Sequence, residues 1–376
     1  MQVAREFDFD SFIDRENTES LKWDARERRG YPETVLPMWV ADMDHRTAPA
    51  VVQALHDRVA HGIFGYTSPD ASYFETVAAW QSRRFGWDVD PLSIVATGGV
   101  IPALTYAVRA FTEPGDGVVI EEPVYYPFRS IVENNGRIAV NAPLARNGEG
   151  RYVRDLAALE ATFVDSGART MILCNPHNPA GQTWSKETLH RLADFCYERN
   201  ILVISDEIHA DMALFGNRHT PFATVSQRAA DISITFGAPS KTFNIAGIVS
   251  SFAIVPNAEL RPKFFRWLAA NELNEPTIFA PIATIAAFTQ GDEWRKQMLK
   301  YIEGNVLFVE AYCRKHIPGV KPLRPQASFL VWLDFTELKL DHAQLLDLCV
   351  DKAHLAMNDG EMFGPGGESH MRLNVG

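Results

Sequence analysis

The sequence predicts an α/β protein, with a large domain on a mostly parallel central sheet flanked by helices and a smaller α+β domain. Three motifs carry this expectation, each starting where a short apolar run ends. Asn175-Pro-His-Asn-Pro-Ala-Gly181 follows Met171-Ile-Leu-Cys174, Ser205-Asp-Glu-Ile-His209 follows Ile201-Leu-Val-Ile204, and Pro239-Ser-Lys241 follows Ile232-Ser-Ile-Thr-Phe236. Between the first two, Leu189, Leu192, Phe195 and Cys196 form one apolar helix face, so the flanking strands run parallel. Loops after parallel strands converge on one sheet edge, where open α/β sheets place their sites.

The elements follow in order. Residues 7 to 24 alternate aromatic and charged side chains without periodicity, an ordered tail. Ala48 to Gly62 carries Val51, Val52, Leu55 and Val59 on one helix face, and Ser72 to Gly86 predicts a second helix. The run Ile94 to Pro102 passes from a strand into a helix through Gly98 and Gly99. Helix N-termini bind phosphates, because free amides point outward and the macrodipole favours an anion. Alone, the paired glycines are equally a tight turn. Val118 to Glu122 predicts a strand, with Tyr125 and Tyr126 just after it; Ile248 to Val255 is another, ended by Pro256. Residues 293 to 317 predict a long amphipathic helix leading into the small domain, formed from Ser328 to Asp334, a helix from His342 to Lys352, and Met371 to Val375. The expected division is 1–47 for an N-terminal arm and part of the small domain, 48–285 for the large domain and 286–376 for the small one.

With 376 residues, 46% hydrophobic, the chain can bury a substantial core. A net charge of -11 argues against nucleic acid or an anionic membrane surface as partner. No window approaches 18 uninterrupted apolar residues, and the first residues lack the apolar core of a signal peptide, which predicts a soluble cytoplasmic protein. Cys174, Cys196, Cys313 and Cys349 lie far apart, without CxxC pairing or metal-ligand spacing, so free thiols in a reducing compartment and no metal are expected.

Lys241 is the chemical centre of this reading. A lysine at a strand's carboxyl end loses its proton when desolvated and attacks a carbonyl, forming a Schiff base. An isolated Ser-Lys pair is also compatible with a surface turn. The three motifs in order, together with Met38-Trp-Val-Ala-Asp-Met-Asp44, His61-Gly-Ile-Phe-Gly-Tyr-Thr67, Pro123-Val-Tyr-Tyr-Pro-Phe128 and Met371-Arg-Leu-Asn374, resemble fold-type-I pyridoxal 5′-phosphate (PLP) enzymes. Within that superfamily the sequence is most similar to the MalY/PatB-type cystathionine β-lyases, over nearly the whole chain.

The resemblance implies a PLP cofactor, an amino-acid substrate and a homodimer with shared active sites. It implies that Lys241 anchors the cofactor and then shuttles the Cα proton, while Asp206 keeps the pyridine nitrogen protonated. Tyr125 would stack on the ring and Tyr126 face the substrate. Asn178 would donate to the phenolate oxygen, with His209 where many relatives carry tyrosine. Gly99, Val100 and Ser240 would hold the phosphate, joined by Tyr66 from the other subunit. Arg372 would grip the substrate carboxylate through a bidentate pair. Taken singly, Tyr66 and both neighbouring tyrosines are ordinary packing aromatics, Asp206 a strand-end cap and His209 a structural histidine. Ala238 and Val249 stand where many aminotransferases have serine and arginine, so the phosphate leans on the other groups. The resemblance also implies an arm reaching a partner and a helix beyond Gly376.

The implied reaction is α,β-elimination of cystathionine or a related cysteine conjugate to pyruvate, ammonia and a thiol. The alternatives are an aminotransferase on the same scaffold and a PLP-binding regulatory protein with a second, protein-binding role.

Overall fold

The computed structural model describes residues 7–376. Seven strands form the central sheet: β1 (Ile94–Thr97), β2 (Gly117–Ile120), β3 (Ile138–Asn141), β4 (Thr170–Cys174), β5 (Leu202–Asp206), β6 (Ser233–Gly237) and β7 (Ser251–Ile254). Their spatial order is β1-β7-β6-β5-β4-β2-β3. Only β7 runs against its neighbours; the remaining pairs are parallel. Every residue of β4, β6 and β7 is buried, as expected of strands covered on both faces.

The crossover helix Lys186–Glu198 forms as its periodicity predicts, burying Leu189, Leu192, Ala193, Phe195 and Cys196, and the Ser185 side chain caps it by accepting from the Thr188 amide. The helix Val100–Phe111 buries Val100, Ala103, Leu104, Ala107 and Val108, which fixes its axis against the sheet with its N-terminus at the carboxyl edge of β1. A smaller four-stranded antiparallel sheet is built from Lys321–Leu323, Leu330–Asp334, His370–Asn374 and Asn358–Asp359, reached through the long helix Asp292–His316.

Two elements depart from the sequence reading. The strand expected from Ile248 begins only at Ser251, because Ala246–Ile248 is a 3-10 turn and Val249 takes a left-handed φ of 58°. The helix from His342 is α-helical only to Leu346 and continues as a π-turn over Asp347–Lys352. Within the tail, Phe9 is buried against His45, Trp294 and Tyr301 of its own chain, while Phe12 is exposed. Further along, Lys22 is buried against Asp44.

Candidate active site

Strands β1, β2, β4, β5 and β6 all end on the same edge of the sheet, and a cavity of about 210 Å³ lies there. Gly99, Val100, Tyr125, Asn178, Asp206, His209, Ser240 and Lys241, the residues singled out from sequence, all line it. Gly99 has φ +95°, a conformation that glycine adopts without strain, and it opens the helix Val100–Phe111. Pro102 occupies the third helical position, where the missing N–H removes one donor, so the Val100 and Ile101 amides are the ones turned to the cavity end.

The charges in the cavity are sparsely paired. The Lys241 Nζ donates to the Ala41 carbonyl at 2.6 Å. Burial and the nearby Arg372 pull its pKa down to about 8, against the attraction of Asp42 and Asp206. Asp206 is buried, and its carboxylate accepts from the Ile208 amide at 3.1 Å. Burial pushes its pKa up to about 7, opposed by that bond and by Lys241. His209 is held neutral, its pKa lowered to about 3 by burial and by the Lys241 and Arg372 cations, and its Nδ1 has no hydrogen-bond partner. Burial likewise keeps the Tyr125 hydroxyl and the Cys174 thiol protonated.

Arg372 reaches the site from the small sheet. Its Nη1 donates to Asn178 Oδ1 at 2.9 Å, and its Nη2 donates to Asn358 Oδ1 at 2.5 Å and to the Trp39 carbonyl at 3.2 Å. The guanidinium lies 5.0 Å over the Phe363 ring, and its Nε is buried without a partner. Burial lowers its pKa to about 10, still far above neutrality. Because Asn178 Oδ1 accepts from Arg372, its amide N–H groups are left for a ligand.

Three predicted residues stand outside the cavity lining: Arg372, which adjoins it through Asn178, and the tyrosines Tyr126 and Tyr66. Tyr126 packs against Tyr125 and Phe363 at 5.3 and 5.9 Å, beside the site rather than in its lining. Tyr66 is fully exposed, with Ile63 and Phe64 exposed nearby, and contributes nothing to its own chain's cavity. Three contributors escaped the sequence reading. Ala41 acts through its carbonyl, which any residue possesses; Asn358 comes from a two-residue strand with no motif; Ser250 was absorbed into a strand. Only the Met38 to Asp44 motif gave a signal for any of them. Among the described residues no cluster of ligating side chains suits a metal ion, and no helix is long and apolar enough to cross a membrane.

Residues 34–376 match the family of class I and II aminotransferases. The chain belongs to that family. Among family members, it is 45% identical to cystathionine β-lyase PatB of Bacillus subtilis over 98% of this chain and 95% of that one. Cystalysin of Treponema denticola, whose crystal structure contains pyridoxal 5′-phosphate, superposes with a TM-score of 0.94 at 34% identity, covering 99% of this chain and 94% of that one. The PLP-bound C-S lyase of Staphylococcus hominis gives 0.90 at 30% identity, over 99% and 94%. The site fits such a cofactor: it offers an amine, an unpaired carboxylate, an unpartnered imidazole nitrogen and a glycine-opened helix N-terminus within one enclosed space.

Proposed function

We propose that this protein is a PLP-dependent carbon–sulfur β-lyase that takes cystathionine or a related cysteine conjugate to pyruvate, ammonia and a thiol. The observation that carries it is one cavity lined by Lys241 on a carbonyl and Asp206 without a cationic side-chain bond, with Arg372, braced by two asparagines, bonded to the lining residue Asn178. The 45% identity to a cystathionine β-lyase over nearly the full length supports the substrate class.

When bound, PLP supplies an electron sink for charge developing at the substrate Cα. Lys241 would hold it covalently, and Asp206 would accept a hydrogen bond from the protonated ring nitrogen. The Val100 and Ile101 amides and Ser240 would take the phosphate, Tyr125 the ring face, and Asn178 with His209 the ring oxygen. Arg372 then orients the α-carboxylate with paired N–H groups. Lys241, with a pKa near 8, removes the Cα proton as a neutral amine and can return it as an acid. A thiol with a pKa of about 8.5 is a good leaving group, so with sulfur at Cβ elimination outruns proton return. Tyr126 would border the substrate side chain.

Incubation with cystathionine, with and without an added keto acid, tests the reading. Equal yields of pyruvate and thiol without the acceptor are expected. Turnover only with the acceptor, and no thiol, would instead establish an aminotransferase.

We further propose a homodimer in which Tyr66 of each chain completes the other's phosphate site; the support is its full exposure within an apolar patch that includes Ile63 and Phe64. Sedimentation should give twice the 42.1 kDa chain mass, and Tyr66→Phe should weaken PLP retention; a monomer retaining PLP firmly would sink this. We propose domain bounds of 1–47, 48–285 and 286–376, since the seven-stranded sheet lies within the second and the four-stranded sheet within the third. The four buried, unbridged cysteines support a cytoplasmic setting.

A further inference from the structure

The segment around Ala41 is held in an unusual way. Each carbonyl from Met38 to Met43 accepts a hydrogen bond from elsewhere in the chain. The Asn374 amide donates to Met38, and its Nδ2 donates to Val40 at 2.5 Å and to Asp42 at 2.7 Å. Arg372 takes the Trp39 carbonyl at 3.2 Å, and Lys241 takes that of Ala41 at 2.6 Å. The Asn244 Nδ2 donates to Met43 at 2.8 Å and to His45 at 2.7 Å, while its Oδ1 accepts from the Met43 amide at 2.9 Å. Asn374 therefore holds the carbonyls on both sides of Ala41, and Asn244 those that follow at Met43 and His45.

Their chain positions matter as well. Asn244 lies three residues after Lys241, and Asn374 two after Arg372. Each functional cation thus lies within three residues of an asparagine whose side chain bonds carbonyls close in sequence to the cation's own acceptor. A segment needed only as scaffold could satisfy these carbonyls with local turns or water. Instead the clamp aims a single carbonyl at the lysine.

We propose that Asn244 and Asn374 are positioning residues: they hold the Ala41 carbonyl as the docking point of the Lys241 amine and thereby set the pH at which that amine is free to react. This rests on the PLP chemistry proposed above. A carbonyl acceptor stabilises the protonated amine, so loosening it favours the neutral form. The charged groups facing Lys241 are Arg372, Asp42 and Asp206, with neutral His209, Tyr125 and Cys174 in the same lining. Asp42 belongs to the clamped segment and would move away with it, adding to the same effect.

The test uses full-length protein freed of cofactor. Added PLP reacts when the neutral Lys241 amine attacks its aldehyde and water leaves, which absorbance follows and borohydride makes permanent. In the native protein the rate should rise with a midpoint near pH 8. Asn244→Gly, which keeps the left-handed φ of 54° accessible, and Asn374→Ser should each lower that midpoint, by about one pH unit if the charge-assisted bond is lost. Asn257→Gly removes a comparable side-chain clamp on the Asp231 carbonyl, remote from the cavity lining, and should leave the midpoint in place. An unmoved or raised midpoint in the folded variants, or an equal fall in Asn257→Gly, overturns the proposal. Should one variant not fold, the other decides. No fixable attachment in the native protein would instead refute the PLP reading itself.

Discussion

Asp206 is buried in the cavity and Asp44 is partly buried on the segment that carries Ala41, yet their proton affinities move in opposite directions. Burial pushes both upward. At Asp44 this is outweighed by Lys22 at 2.7 Å, Arg15 at 2.7 Å and the Trp23 indole at 3.1 Å, and its pKa falls below the usual carboxylate value. At Asp206 one backbone amide and a more distant lysine do not suffice, and the pKa reaches about 7. The difference separates structure from chemistry. Asp44 is satisfied within the protein and pins the outer side of the Ala41 segment; Asp206 is left short of partners, which suits the ligand-binding role proposed for it.

The largest expected effect breaks the Asp206 side of this contrast. Asp206→Asn should lower kcat for cystathionine on the order of 10²–10³-fold, since it removes the charge that stabilises the ring's proton. The cofactor-free variant should be the more stable protein at pH 8, and the sign follows from linkage. The native carboxyl has a folded pKa of about 7 against 3.8 unfolded, so its favourable contribution is complete below pH 3.8 and lost as pH rises through 7. Asparagine keeps the acceptor for the Ile208 amide without the charge. Its advantage in urea unfolding should therefore grow from near zero at pH 4 to about 2–4 kcal/mol at pH 8. A constant difference across this range would show that Asp206 is already paired.

The same contrast explains how much could be read from sequence. Lys241, Asp206, Asn178 and Ser240 were legible because each follows an apolar run that becomes a buried strand, and strand ends deliver side chains to a known edge. Arg372 was legible only as part of a recognised motif, since its site is made by Asn178, 194 residues away. The Ala41 carbonyl was not, because a backbone group has no sequence identity and its role arises from Lys241, 200 residues on. Nor did alternation in Ile248 to Val255 reveal the left-handed Val249, where the chain leaves the strand to line the cavity. Tyr66 could be named but not seated, because nothing in its own chain covers it.

The smallest expected effect sharpens the Asp44 side. Asp44→Asn keeps the oxygen that receives Trp23 and Arg15 but removes the charge facing Lys22, whose side chain is 2% exposed. Leaving a buried ammonium without its counter-ion is unfavourable, although Asp44 is itself 32% exposed, and solvent screening there trims the cost to about 1–2 kcal/mol at pH 7. The native carboxyl has a lowered folded pKa, so its contribution is present above the unfolded value of 3.8 and is lost as pH falls through the folded one. The native protein's advantage over Asp44→Asn should therefore hold at neutral pH and shrink on acidification below pH 3.8. Asp206→Asn instead gains on the native protein as pH rises. Measured in one urea series, the two variants should thus separate from the native curve on opposite sides, both converging on it in acid. If Asp44→Asn were as stable as the native protein at pH 7, the Lys22–Asp44 ion pair would contribute nothing net to holding the Ala41 segment.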